Sequence, residues 1–287
     1  SLPQTDGGEG FVSILTLAKG GELRTVEALD SLGRERPVPI GLLPIEGLSE
    51  EVIDLLCLPP KGKIALIEMA SIVGLADLKA EERNPWKTAT VGVGECLREC
   101  REWGVSAILL GIGGSSTNDM GLGALNSLGV RFLDENNNSI DFPSPETWDS
   151  IHSVDSSALL SLPPMTIACD VRNPLLGVNG ATVQFGPQKG LRIEDKETME
   201  GKMTEMARFL EQSFPDAKGR GGLPGMGAAG GIGFGLSLAC GVSMTGGFSL
   251  VSKWFELESE IAGSDLVLTG EGRFDETSLA GKAPCEI

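Results

Sequence analysis

Short apolar runs alternate along the chain with longer segments in which apolar residues recur at helical spacing. The runs predict strands over 23–29, 38–43, 63–69, 107–110, 130–133, 165–170 and 265–269. The helical spacing predicts helices over 9–18, 84–104, 194–214, 228–240 and 249–262, and a short helix that ends near residue 129. Helices that alternate with apolar strands predict a three-layer α/β fold with a parallel sheet, of flavodoxin or Rossmann type.

The predicted strands are distributed unevenly. Residues 22–70 hold three predicted strands in succession, whereas predicted strands and helices alternate regularly elsewhere. We therefore expect two domains. The first α/β domain comprises 1–20 and 161–287, and a second α/β domain with a β-rich start is inserted into it over 21–160.

The segment after the predicted strand 107–110 has the features of an anion-binding turn. Three glycines break the strand, five polar residues occupy 115–119, and a helix follows. Such a turn leaves backbone N–H groups unpaired, and the helix dipole adds partial positive charge. The predicted ligands of a phosphate or carboxylate are Gly113, Gly114, Ser115, Thr117 and Asn118. The alternative is that 115–119 only cap the helix, because these residue types are common at N-caps.

Charge and composition narrow the range of binding partners and of catalytic groups. The formal net charge of −17 disfavours nucleic acid and acidic membrane surfaces. The six cysteines include no C-x-x-C pair, which favours a reduced, cytoplasmic setting, and neither a signal peptide nor a membrane span is predicted. His152 is the only histidine and there is no tyrosine, so acid–base chemistry falls mainly to carboxylates, lysines and metal-bound water.

Polar clusters follow the ends of predicted strands, where α/β sheets bind ligands. They lie at 169–173, a little further on at 185–190, and at 269–275. Carboxylates there suit Mg²⁺ coordination or general-base catalysis, although Asp, Asn and Gly also favour turns without any function. The glycines of 225–230 match a dinucleotide fingerprint, but weakly, because no strand is predicted before them.

Taken together, these clusters resemble those of the bacterial glycerate kinase family, the type-I glycerate 2-kinases. The resembling blocks read DGGEG at 6–10, IEMA at 67–70, GL at 74–75, GIGGSSTND at 111–119, CDVRNP at 169–174, FGPQKG at 185–190, GAAGG at 227–231, TGEGRFD at 269–275 and GKAP at 281–284. The resemblance implies a cytoplasmic two-domain α/β enzyme that transfers the γ-phosphoryl group of ATP, with Mg²⁺, to D-glycerate. The expected product is 2-phosphoglycerate, and a homodimer is one expected assembly.

The ends of the chain depart from the family pattern. Family members open with a strand that ends in an Asp-Ser-Phe-Lys segment and continue well past the Gly-Lys-Ala-Pro segment. This chain has no match to the first and stops at Ile287. We expect it to lack a strand–helix unit at the front and further units behind, so that the first domain is incomplete at both ends.

The resemblance and the residue chemistry together assign roles within one cleft. Asp6, Asp170 and Asp275 are the expected catalytic carboxylates, Asp170 is also the expected metal ligand, and which acid is the general base stays open. Substrate or phosphate binding is expected from the five residues of the turn named above and from Asn173, Lys189, Glu271, Arg273 and Lys282. Two alternatives stay open: a nucleotide-dependent oxidoreductase that uses 225–230, and a non-catalytic protein that binds a sugar acid or a nucleotide.

Overall fold

The computed structural model describes residues 5, 7–214, 216 and 218–268. Its strands are β1 (Glu22–Leu29), β2 (Glu35–Pro44), β3 (Lys63–Glu68), β4 (Ala107–Gly111), β5 (Arg131–Leu133), β6 (Ser153–Asp155), β7 (Met165–Ala168) and β8 (Val242–Thr245). Its α-helices are α1 (Phe11–Ala18), α2 (Glu50–Leu55), α3 (Met69–Val73), α4 (Val91–Glu102), α5 (Leu122–Ser127), α6 (Ala181–Phe185), α7 (Lys196–Ser213), α8 (Ile232–Ala239), α9 (Gly247–Trp254) and α10 (Leu257–Ala262). None of the helices in these residues is long and apolar enough to cross a membrane.

Six of these strands form one mixed sheet in the order β1-β2-β3-β4-β7-β8. The pairs β1–β2 and β2–β3 are antiparallel, and β3, β4, β7 and β8 are parallel to one another. The last residues of the four parallel strands pair in one row, which runs through Glu68, Gly111, Ala168 and Thr245. These strands therefore end at the same edge of the sheet, the edge at which α/β sheets bind ligands.

Helices pack on both faces of this sheet. Along β4, Ile108 and Leu110 face one apolar core, and Ala107 and Leu109 face the other, because successive side chains of a strand point in opposite directions. The core around Ile108 includes residues of α4 and α8, and the core around Leu109 includes residues of α1 and α9. The prediction of a three-layer α/β fold is confirmed, and the predicted parallel sheet is found as a mostly parallel one with antiparallel pairing at β1 and β2.

One hydrogen bond links the first helix to the ninth. The indole Nε1 of Trp254 in α9 donates to the carbonyl of Leu15 in α1 at 3.1 Å, and both residues are fully buried. The bond satisfies the single polar atom of a large apolar side chain. Helices α1 and α9 are thereby joined within one layer of the fold.

The predictions of helices and strands are wrong at several places. Helix α4 begins at Val91 rather than near Asn84, because the side chain of Asn84 closes a turn by accepting from the Trp86 N–H at 3.1 Å. The predicted helix 249–262 is two helices, α9 and α10, separated at Glu256, whose φ is 54°. Residues 265–268 form no strand. Finally, β6 and β8 are strands that the hydrophobic pattern does not predict.

The division of the chain into two domains stays a prediction. Strand β4 lies in the segment 21–160 and strand β7 in the segment 161–287, and the two strands pair in parallel. The described parts of both segments therefore contribute to one sheet.

Candidate active site

A cleft of about 470 Å³ lies at the carboxyl ends of β4 and β7. Segments distant in the sequence meet around it: the loop before α1, the turns after β4 and β7, and two short 3₁₀ turns, Pro187–Lys189 and Ala228–Gly231. Of the predicted site residues, the cleft brings together Gly113, Gly114, Ser115, Asp170 and Lys189. The other lining residues are Gly8, Glu9, Leu75, Ile112, Ala168, Cys169, Val171, Phe185, Gln188, Ala228 and Ala229.

Two loops that contain glycine stack against each other beside the cleft. The Gly113 N–H donates to the Gly7 carbonyl at 2.9 Å. A Cβ atom at Gly111 would lie 2.7 Å from the Gly7 oxygen, and one at Gly113 would lie 2.8 Å from Gly8 Cα. Only glycine allows two backbones to approach this closely. The Gly113 amide therefore holds the neighbouring loop, and Gly113 shapes the cleft through its lack of a side chain.

The helix predicted directly after this turn begins only at Leu122, as α5. The fully buried carboxylate of Asp119 accepts from the Gly121 and Gly123 N–H groups, at 3.2 and 3.1 Å, at the start of α5. It also accepts two bonds of 2.8 Å from the backbone and the hydroxyl of Thr90. Burial raises the pKa of Asp119, and the four hydrogen bonds oppose this only in part. Asp119 therefore acts as the capping alternative predicts. Its carboxylate already accepts from the N–H groups at the start of α5, which an incoming anion would need as donors.

Lys189 supplies positive charge to the cleft. Its ammonium Nζ donates to Ser115 Oγ at 3.1 Å and to the Thr117 carbonyl at 2.6 Å, and the residue is 2% exposed. Burial lowers the pKa of Lys189 to about 7, against the effect of the nearby Asp119 charge. The structure thus joins Lys189 and Ser115, which the sequence singles out in separate motifs. We call these two residues the basic part of the cleft.

Two carboxylates form what we call the acidic part of the cleft, Glu9 and Asp170. Asp170 follows β7, and its Oδ1 accepts from the Phe248 N–H at 3.1 Å. Glu9 precedes α1 and is exposed. No group of three or more His, Cys, Asp or Glu that could hold a metal occurs in the part of the chain described. Mg²⁺ is usually held by only one or two carboxylates together with substrate phosphates and water, and two carboxylates line this cleft.

Glu68 is a buried acid that sequence reasoning missed as a site residue. It ends β3, and its carboxylate accepts from the Val12 N–H at 2.7 Å and from the Gly10 N–H at 3.4 Å, at the start of α1. Burial raises the pKa of Glu68, although these hydrogen bonds lower it. The bonds fix the loop that carries Gly8 and Glu9 to the cleft. The sequence offers one indication, a carboxylate at the last position of a strand.

Other predicted site residues do not line the cleft. Thr117 and Asn118 are fully buried, and Asn118 Nδ2 donates to Thr182 Oγ1 at 3.2 Å. Asn173 Nδ2 donates to the Asn179 carbonyl at 2.8 Å and so closes its own loop. The remaining predicted residues lie outside the described part of the chain: Asp6, Glu271, Arg273, Asp275 and Lys282.

Two glycines of the stretch 225–230 serve close packing of the backbone. Gly230 lies against the backbone of Thr117, and Gly227 lies against the backbone of Pro174, each with no room for a Cβ atom. This packing accounts for these two glycines of the weak fingerprint without any dinucleotide.

An open, mostly parallel sheet with a polar cleft at its carboxyl edge defines the class of α/β proteins that bind small ligands at strand ends. Comparison with known sequences gives the family. A sequence model described as the glycerate kinase family matches residues 1–287. The chain therefore belongs to the glycerate kinase family.

Individual relatives agree with this assignment. The chain is 37% identical to a glycerate kinase of Bacillus cereus, over all of this chain and 71% of that protein. It is 36% identical to the glycerate 2-kinase of Escherichia coli K12, with the same coverage of both chains. A crystal structure from Salmonella typhimurium LT2, assigned as a glycerate kinase 2, superposes with a TM-score of 0.79 at 37% identity, over 99% of this chain and 71% of that one.

The predicted resemblance is confirmed, and with it the prediction of a kinase enzyme that acts on glycerate. The comparisons do not favour the two alternatives, an oxidoreductase or a non-catalytic binding protein.

Proposed function

We propose that this protein transfers the γ-phosphoryl group of ATP to the 2-hydroxyl of D-glycerate, with Mg²⁺, in the cleft at the ends of β4 and β7. The observation that carries the proposal is that one cleft contains both a basic part and an acidic part. Phosphoryl transfer depends on positioning and on neutralising charge rather than on covalent chemistry by the protein. A family member whose cleft offers both kinds of charge has the means for this reaction.

The basic part binds negative charge. Lys189 provides a buried ammonium, and the hydroxyl of Ser115 beside it can orient an oxygen of the ligand. Gly113 and Gly114 line the cleft with their backbone, and without side chains they let Gly8 and Ala70 pack closely against this turn. Thr117 helps to hold this arrangement in place, because its carbonyl accepts a hydrogen bond from the ammonium of Lys189.

The acidic part is the proposed place for Mg²⁺, which Asp170 and Glu9 would hold. When bound, the ion neutralises the charge of the phosphates. A carboxylate must also accept the proton of the glycerate hydroxyl, and Asp6, Asp170 and Asp275 are the candidates for this base. Glu271, Arg273 and Lys282 keep their predicted binding roles.

The remaining proposals concern the setting of the enzyme. The net charge of −17 supports small-molecule partners rather than nucleic acid. Free cysteines in the described residues, Cys57, Cys96, Cys100, Cys169 and Cys240, support a reduced, cytoplasmic environment. A homodimer stays a prediction.

A coupled assay tests the function directly. ADP formation from ATP and Mg²⁺ is measured with D-glycerate, with L-glycerate and with no acceptor, and NMR of the product identifies the phosphorylated hydroxyl. We expect turnover with D-glycerate and a phosphorus–proton coupling at C2. No turnover that depends on glycerate would refute the proposal, and coupling at C3 would overturn the choice of hydroxyl.

A further inference from the structure

The positive charge of the cleft lining is concentrated at one buried point. Lys189 is the only cation among the lining residues in the described part of the chain, whereas Glu9 and Asp170 are carboxylates. The two substrates of the proposed reaction differ greatly in charge, because glycerate is a monoanion and the triphosphate of ATP carries several negative charges. This difference allows the substrates to be assigned to parts of the cleft.

We propose that Lys189 and Ser115 bind the carboxylate of glycerate, and that the triphosphate of ATP lies in the acidic part of the cleft. This inference rests on the proposed function, since it assumes that glycerate and ATP are the substrates. It goes further by giving each substrate a place and by making Lys189 the residue that selects an acid over a neutral alcohol.

The hydrogen bonds of Lys189 leave donors for one carboxylate. An ammonium has three N–H donors, and Ser115 Oγ and the Thr117 carbonyl take two of them. Because Ser115 Oγ accepts from Lys189, its own hydroxyl proton is directed elsewhere, and Ser115 lines the cleft. One N–H of Lys189 and the O–H of Ser115 therefore match the two oxygens of a carboxylate.

Burial favours a small, singly charged ligand at this point. Lys189 is 2% exposed and Ser115 5% exposed, so a ligand that reaches them gives up its water. Removing a charge from water is costly unless an opposite charge compensates it. One ammonium compensates one carboxylate, whereas a triphosphate there would keep several uncompensated charges. In the acidic part, which includes the exposed Glu9, phosphates with their cation can stay partly hydrated.

Binding measurements on matched ligands test the assignment. Calorimetry measures the affinities of glycerate, of glyceramide (the same molecule with a neutral amide in place of the carboxylate) and of ATP with Mg²⁺. The proteins are the unaltered chain, Lys189→Met, Ser115→Ala and the control Lys87→Met. Lys87 is largely exposed and does not line the cleft. Methionine keeps most of the length of the lysine side chain, and thermal unfolding checks each variant.

We expect Lys189→Met to weaken glycerate binding by about tenfold to a hundredfold, the range for losing a charged hydrogen bond. Glyceramide and ATP should keep their affinities within about twofold. Ser115→Ala should weaken glycerate binding by a smaller factor, about threefold to tenfold. It also provides the test if Lys189→Met does not fold. Lys87→Met should bind all three ligands as the unaltered chain does.

Two results would overturn the assignment. One is a loss of ATP affinity in Lys189→Met or Ser115→Ala with glycerate unaffected, because it would place the phosphates on the basic part. The other is an equal loss for glycerate and glyceramide, because the carboxylate would then not be the group bound. Failure of the proposed function looks different: the unaltered chain would bind glycerate through Lys189 without any ATP turnover that depends on glycerate.

Discussion

The basic and acidic parts of the cleft hold their charges in different ways. The ammonium of Lys189 is almost fully buried and has neutral oxygens as hydrogen-bond partners, so burial dominates and lowers its pKa to about 7. In the acidic part, Glu9 is exposed, and Asp170 accepts from a backbone N–H. The basic part is therefore suited to a small ligand without water, and the acidic part to a hydrated, multiply charged one. Four predictions test this contrast, from the largest expected effect to the smallest.

Removing the charge of Asp170 should have the largest effect. Asp170→Asn keeps the shape of the side chain and an oxygen that can accept from Phe248, but it removes the negative charge. We expect kcat to fall at least about a hundredfold, the low end for losing a positioned acid–base group. Mn²⁺ should restore part of the activity if Asp170 is a metal ligand, and none if it is the base. Asp149→Asn, at an exposed position, is the control.

A decrease of less than threefold in kcat for Asp170→Asn would place the chemistry on other residues, with Asp6 and Asp275 as the next to substitute. The same pair of metal assays on Asp6→Asn and Asp275→Asn would then rank these acids.

Glu68 should affect stability because its carboxylate satisfies the start of α1. Glu68→Ala leaves the Val12 and Gly10 N–H groups without their partner, and we expect the free energy of unfolding to fall by about 1–3 kcal/mol. Urea unfolding measures this change. Glu46→Ala, at an exposed position, should stay within about 0.5 kcal/mol of the unaltered chain. Equal stability of both variants would show that Glu68 does not hold the loop of Gly8 and Glu9.

The binding of glycerate should depend on pH through Lys189. Only the ammonium form attracts a carboxylate, so KM for glycerate should be flat below pH 7 and rise above it, approaching tenfold per pH unit. The negative charge of Asp119 favours the ammonium form of Lys189. Cys169, which also lines the cleft, does not titrate between pH 7 and 9, because burial raises its pKa to about 11. A KM for glycerate that stays flat up to pH 9 would contradict this account. KM for ATP is the internal control.

The smallest effect is expected at Asn173, which the sequence predicts as a binding residue. Its side chain donates to the Asn179 carbonyl and does not line the cleft. Asn173→Ala should therefore lower the free energy of unfolding by about 1 kcal/mol and leave both KM values within about twofold. An increase of tenfold in either KM would return Asn173 to the binding site.

Much of the fold could be predicted because the sequence pattern of its central strands is easy to recognise. Strands β4 and β7 are short, buried and mostly apolar, as expected for parallel strands covered on both faces. Once these strands are placed, the rule that parallel strands end at one edge brings Ser115 and Asp170 to the same cleft. By contrast, β8 has four residues within a long uncharged stretch, so hydrophobicity does not distinguish it from the helix before it.

The candidate site was harder to predict where one residue type serves two purposes. Asp119 belongs to the polar turn after β4, and composition alone does not show that its carboxylate fills the amides of α5. Glu68 presents the same difficulty, because its partners lie 56 and 58 residues away in the chain. Lys189 could be predicted as a charge near the ligand, but its burial against Ser115 and Thr117 follows only from the packed structure.

The hydrogen bond between Trp254 and Leu15 has a consequence for synthesis on the ribosome. The two residues are 239 positions apart, so at typical rates of translation the residues of α1 are synthesised on the order of ten to fifty seconds before those of α9. During that time Phe11 and Leu15 lack the Trp254 side chain that later packs in the same core. The nascent chain therefore presents an apolar segment to which chaperones can bind, and a ribosome that stalls before residue 254 leaves this layer of the protein without Trp254.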